Sequence, residues 1–174
     1  LIRHPQGKSG AYTVPAGVNT IGTSAFDHCT GLTAVQFPAS LLTIGYEAFD
    51  GCTGLTALTV PAGVTTLKGA AFASCSGLQS VSLPASITTF ETSVFSQCTA
   101  LTSVTLAPGL TVLGGYAFSG CSALQNITLP ASIGLAAVAD PLVRVLLGDK
   151  WLDAIPLVPL LATAGAISSL QTNT

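Results

Sequence analysis

Between Leu78 and Cys98 the apolar positions that recur in the other copies include Leu78, Val81, Leu83, Ile87, Phe90, Phe95 and Cys98, with Ser, Thr, Gln and Glu filling most of the gaps. Val81 and Leu83 alternate with Ser80 and Ser82, the two-residue period of a strand that buries one face and wets the other. Pro84 follows at once; it lacks an N–H donor and ends ladder pairing. The later apolar positions are spaced three and then five apart, which suits a tight bend and a short helical or 3₁₀ turn rather than a second strand. One strand and one turn are therefore predicted for this stretch.

The same pattern recurs along most of the chain. Cysteine returns at one unvarying step, at Cys29, Cys52, Cys75, Cys98 and Cys121, and phenylalanine keeps the step at Phe26, Phe49, Phe72, Phe95 and Phe118. Leucine keeps it at Leu32, Leu55, Leu78, Leu101 and Leu124. Three residue types locked to one period mark a solenoid, in which a single unit cannot bury its apolar face but stacked units make a continuous core. Like then lies on like, giving interior columns of Phe and Cys and a parallel sheet with one strand per coil. At about 4.8 Å per coil, six coils make a rod of roughly 25–30 Å. A sixth unit starts well at Leu124, Ile127, Leu129, Pro130 and Ile133, then places Pro141 in its phenylalanine slot and Arg144 in its cysteine slot.

The repeating segment LTSVTLAPGLTVLGGYAFSGCSAL (Leu101 to Leu124) and its sister copies, with P-x-S-[IV] after the strand and A-F-x-x-C before the next, resemble the BspA-like type of leucine-rich repeat. The resemblance implies an α/β-type repeat solenoid, curved, with its strands on the concave side. It also implies cell-surface adhesion and protein–protein recognition in bacteria and unicellular eukaryotes, and it brings no catalytic residues. The expected organisation is a lead-in over 1–9, a leucine-rich-repeat solenoid over 10–133, and an apolar, partly helical C-terminal extension over 134–174.

Composition sharpens the choice of partner. Charged residues are 7% of the chain and the net charge is −2, so there is no electrostatic footprint for nucleic acid or an anionic membrane. So little surface charge points to a surface largely covered in its native setting, or to one dominated by Thr, Ser and Gly. In the extension, Asp140 and Pro141 form a sound helix start. Beyond Asp153 the chain is apolar and charge-free, interrupted by Pro156 and Pro159. Three roles are open: a cap over the end of the solenoid, a docking segment on another subunit, or a membrane span. Trp151, Leu152, Leu157 and Leu160 are its candidate contact residues, and membrane contact is expected only through 134–174.

The cysteines are the one cluster of reactive atoms. Strung along a rod they do not gather around a metal, and nothing matches the close cysteine pairs of a zinc site. Parallel side-chain vectors oppose disulfides between neighbouring coils, so the column is read as buried reduced thiols acting as small hydrophobes. Asp27, His28 and Cys29 are adjacent, but adjacent residues project in different directions, and His28 reads as a turn residue facing solvent; His4 is the other histidine. Gly7-Lys8-Ser9 echoes the end of a phosphate loop without its earlier glycine. Asn126-Ile127-Thr128 is a glycosylation sequon in form, placed in mid-strand. No catalytic residue, metal ligand or cofactor site is predicted.

The outward strand positions are Ala34 and Gln36, Ala57 and Thr59, Ser80 and Ser82, Ser103 and Thr105, Asn126 and Thr128. Gln36, Thr59, Ser82, Thr105 and Thr128 are the candidate partner-binding column. The expectation is a non-enzymatic interaction or scaffold protein whose partners are other protein subunits. The alternatives are a structural subunit of a larger, membrane-associated assembly anchored by the extension, or an ice-binding surface on the Thr-rich face. By the family resemblance the recognition reading implies the cell surface or the extracellular space; the structural-subunit reading implies a membrane-associated complex in an organelle.

Overall fold

The computed structural model describes residues 9–128. Each coil contributes two strands, and the paired strands run parallel. The predicted strands are β1 (Gly10–Thr13), β3 (Leu32–Gln36), β5 (Ala57–Thr59), β7 (Ser80–Ser82), β9 (Ser103–Thr105) and β11 (Asn126–Thr128). Between them lie β2 (Thr20–Ile21), β4 (Thr43–Ile44), β6 (Thr66–Leu67), β8 (Thr89–Phe90) and β10 (Val112–Leu113). β1 pairs with β3, β5 through β11 form a four-stranded sheet, and β2 through β10 form a five-stranded sheet. The register of the five-stranded sheet advances by one whole period at every pairing: Thr20 lies opposite Thr43, Thr43 opposite Thr66, and Thr66 opposite Thr89.

This corrects the expectation of one strand per coil with a helical or 3₁₀ segment opposite. The apolar residue three places after the first bend (Ile21, Ile44, Leu67, Phe90) sits in a two-residue strand, and the described residues contain no helix of either kind. Hydrogen bonding in the remaining turn shows why. On the second coil Ala48, Asp50 and Cys52 donate their N–H groups back three residues, to Gly45, Glu47 and Phe49. The alternate residues Glu47, Phe49 and Gly51 donate instead to Gly69, Ala71 and Ala73 of the next coil, at 2.8–3.0 Å. A 3₁₀ helix directs every N–H within its own segment; here half of them tie coil to coil, and buried donors are satisfied either way.

That alternation needs two left-handed residues per coil. One column is Ser24, Glu47, Ala70, Ser93 and Tyr116, and the other is His28, Gly51, Ser74, Gln97 and Gly120, with φ between 51° and 74° throughout. Only two of these ten are glycine, so the chain holds costly backbone conformations that the stacking over-determines.

The interior is a set of columns, as the period predicts. Phe26, Phe49, Phe72, Phe95 and Phe118 are all buried, their rings parallel within 10°. Centroid separations run 4.7, 5.2, 5.6 and 5.7 Å from the first gap to the last. Three of these exceed the about 4.8 Å between paired strands, so the coils fan open on the phenylalanine side. Tyr12 closes the first coil edge-on against Phe26, at 5.3 Å.

Candidate functional site

The thiol column is a structural device. From the second coil on, each sulfur donates to the carbonyl of the phenylalanine one coil back: Cys52 to Phe26 at 3.0 Å, Cys75 to Phe49 at 3.1 Å, Cys98 to Phe72 at 3.2 Å and Cys121 to Phe95 at 3.1 Å. The Phe26, Phe49 and Phe95 carbonyls also accept the backbone N–H of the cysteine in their own coil. A small apolar side chain with one weak donor fits that place, where valine would leave a lone pair unused. All five cysteines are buried, and none of them is in a disulfide. Burial raises the Cys52 thiol to about 12 and the Cys121 thiol to about 11, and pushes Cys75 and Cys98 higher still. Thiols held this high stay protonated near neutral pH, the form that is a poor nucleophile and a poor metal ligand.

At the first turn His28 Nδ1 lies 2.5 Å from Asp27 Oδ1. The hydrogen bond to that carboxylate, more than its charge alone, raises the His28 pKa. His28 is 67% exposed while Cys29 is buried, so imidazole and thiol point apart as expected, whereas the Asp27 carboxylate turns onto the imidazole, which the expectation of diverging neighbours did not foresee. Sequence reasoning missed Asp50, which joins this turn from the next coil. One ligand atom each from Asp27, His28 and Asp50 falls within 4.8 Å of the others, and Asp50 Oδ1 is buried without a hydrogen-bond partner. The signal was legible, since Asp50 follows Asp27 by exactly the step that separates Cys29 from Cys52. Three donors are one short of a closed tetrahedral zinc site.

The outer face of the first-strand sheets carries the candidate column. Gln36, Thr59, Ser82, Thr105 and Thr128 are all exposed, on successive coils. Thr59 lies opposite Ser82, and Thr105 opposite Thr128, in parallel register; Thr13 Oγ1 donates to Gln36 Oε1 at 3.3 Å. Beside them Ala57, Ser80, Ser103 and Asn126 are exposed as well. The result is a flat surface of hydroxyl and amide groups with no charge. Trp151, Leu152, Leu157 and Leu160, the helical extension, His4 and Gly7-Lys8 lie outside the described residues. Among the described residues, no helix is long and apolar enough to cross a membrane. Sequence reasoning gave no role to Leu42, Tyr46, Val112 and Tyr116, the large apolar side chains that stand exposed.

A solenoid of this design has relatives. The chain matches a leucine-rich repeat protein of T. pallidum at 28% identity and a TM-score of 0.65, over 72% of each chain. It matches a leucine-rich repeat protein from Bacteroides ovatus at 31% identity and 0.53, covering 69% of this chain and 37% of that one. A leucine rich cell surface protein from Faecalibacterium prausnitzii matches at 32% and 0.53, with coverage of 67% and 38%. The chain thus spans less than half of the latter two. Among curated proteins, none matches. The BspA-type leucine-rich repeat model fits in six copies over residues 12–136, taking in the Phe and Cys columns that build the rod. With that fit over most of its length, the chain belongs to the BspA-type leucine-rich repeat family.

Proposed function

We propose that the protein is a non-enzymatic recognition module that holds a protein partner across the outer face of its first-strand sheets. The observation that carries this reading is that Gln36, Thr59, Ser82, Thr105 and Thr128 stand exposed at the same place on five consecutive coils, the last four in one continuous parallel sheet, and none is used by the core. Such a row offers donors and acceptors at one fixed spacing to an extended partner segment, and the rigid rod lowers the entropy lost on binding. Repeat proteins of this family generally bind other proteins. The Faecalibacterium relative is described as a cell-surface protein, which supports a surface setting for this one.

The test is a comparison of immobilised proteins exposed to extract from the native source. A triple variant, Thr59→Arg with Ser82→Arg and Thr105→Arg, covers the proposed face with charge; Thr66→Arg places one on the second-strand sheet. A partner retained by the parent and by Thr66→Arg, and lost by the triple variant, is the expected result. Equal retention by all three refutes the assignment of the face.

A further inference from the structure

Among the described residues, the exposed large apolar side chains are Leu42 (53%), Tyr46 (50%), Val112 (50%) and Tyr116 (58%). They form two matching pairs, each four residues apart and each running through a second strand into the turn behind it. Leu42 and Tyr46 bracket β4 on the second coil; Val112 and Tyr116 start at β10 on the fifth. The fold does not require them. The place of Tyr46 is taken elsewhere by Thr23, Gly69, Thr92 and Gly115, and that of Tyr116 by Ser24, Glu47, Ala70 and Ser93. Tyr116 takes the left-handed place that every coil fills, with φ of 60°, and is the one aromatic residue in that column. Tyr46 is held in place: a Cβ on Gly69 would come within 2.7 Å of its Cε2 and 3.0 Å of its Cδ2, so that glycine clears a seat for one edge of the ring.

On the coils between the two tyrosines stand Lys68 and Glu91. Lys68 Nζ donates to Glu91 Oε1 at 2.8 Å, and the Gly69 N–H donates to Glu91 Oε2 at 3.0 Å. Both side chains remain about two-fifths exposed, at 43% and 37%, and keep further hydrogen-bonding capacity toward solvent. From coil two to coil five the turns therefore present aromatic, ammonium, carboxylate, aromatic, a slanting row drawn from three successive turn positions. Thr65, Thr88 and Thr92 add exposed hydroxyls beside it, and Glu47 adds a second carboxylate next to Tyr46.

We propose that this row binds an uncharged, extended oligosaccharide lying along the rod, its outer rings against Tyr46 and Tyr116 and its inner hydroxyls bonded to Lys68 and Glu91. Aromatic rings take the C–H faces of sugars, while a fixed ammonium–carboxylate pair serves neighbouring hydroxyls without demanding charge. The two tyrosines are three coils apart, in the turns that carry Phe49 and Phe118, where the coils stand 5.2, 5.6 and 5.7 Å apart. The rise per coil is close to the length of one sugar ring in an extended chain, so successive rings fall on successive coils. A protein partner is served better by aromatic anchors clustered at the centre of a dry patch; here they stand at the two ends with polar groups between. This row lies on a different face from the one assigned to a protein partner, so either assignment can fail alone.

The test is isothermal titration calorimetry on the full chain with cellohexaose, xylohexaose, chitohexaose and mannohexaose, each in turn. Saturable binding of at least one is expected, with Tyr46→Thr and Tyr116→Ser each weakening it about 3- to 10-fold and Thr33→Ala, at an exposed place with no assigned role, leaving it unchanged. Both tyrosine replacements copy residues that other coils already carry in those places, and an unchanged melting curve verifies the fold. No saturable heat with any of the four probes at millimolar concentration overturns the proposal, as does binding that neither tyrosine variant weakens. A dimer that dissociates in the tyrosine variants also overturns it, since a second copy is then the occupant.

Discussion

Replacing Phe72 by alanine removes the central ring of the column. Phe72 is fully buried and lies between Phe49 and Phe95 at 5.2 and 5.6 Å, nearly parallel to both. Deleting a buried phenylalanine costs about 3–5 kcal/mol through lost transfer free energy and the cavity left behind. Two stacked neighbours each lose a partner here, and the hydrogen bonds at the Phe49 and Phe72 carbonyls pin the turn on both sides. Little collapse is available, so the upper half of that range applies, against a stability of about 5–15 kcal/mol for a domain of ordinary size. With a urea m-value of about 2 kcal/mol/M, the midpoint falls by about 2 M. Phe72→Leu, which keeps volume but no ring, separates stacking from filling and costs about 1–2 kcal/mol. In a rod whose units touch only their neighbours, the alanine lesion also uncouples the halves, and the circular dichroism transition broadens. A midpoint shift under about 0.5 M for Phe72→Ala would show that the column is not the continuous core described above.

The thiols provide a second check: at pH 8 none of the five cysteines reacts with a disulfide reagent in the native rod, and all five react in denaturant, because burial holds Cys52 at about 12 and Cys121 at about 11. Gly51→Ala places a Cβ 3.0 Å from the His28 ring in a left-handed residue and destabilises by about 1–2 kcal/mol, whereas Gln97→Gly relieves the same conformation and raises the melting temperature. Lys68 holds the Glu91 carboxyl below its ordinary range, chiefly through their hydrogen bond. That contribution is complete above the unfolded-state pKa and lost as pH falls through the folded value; with both groups over a third exposed it is at most about 1 kcal/mol, and Glu91→Gln removes it along with its salt dependence. The Asp27–His28 pair has the opposite sign, since a raised histidine pKa stabilises at low pH and fades as pH rises through the folded value; nuclear magnetic resonance titration of the His28 ring follows it.

The columns were legible because Phe26 to Phe118 and Cys29 to Cys121 repeat identity as well as polarity. The second strand was not, since Thr43–Ile44 is too short to show any alternation; pairing with Thr20–Ile21 and Thr66–Leu67 makes it a strand, and pairing is invisible in a single unit. The left-handed columns escaped for a related reason: Glu47, Ala70 and Gln97 have no composition that signals positive φ, and only Gly51 and Gly120 hint at it. The outward residues of the first strands were identified directly from alternation, and all but half-buried Ala34 are exposed. Tyr46 and Tyr116 were passed over because Tyr116 falls one place beyond three whole periods from Tyr46, so no column contains both.

The alternate turn N–H groups all donate forward, from each coil to the carbonyls of the next. A duplication or deletion of one whole repeat unit restores every donor to an equivalent acceptor, whereas a unit one residue longer or shorter has to bulge within its own coil before the donors on either side meet their acceptors again. Lengthening or shortening the rod by whole units is thus the change that this bonding scheme absorbs without loss of a partner.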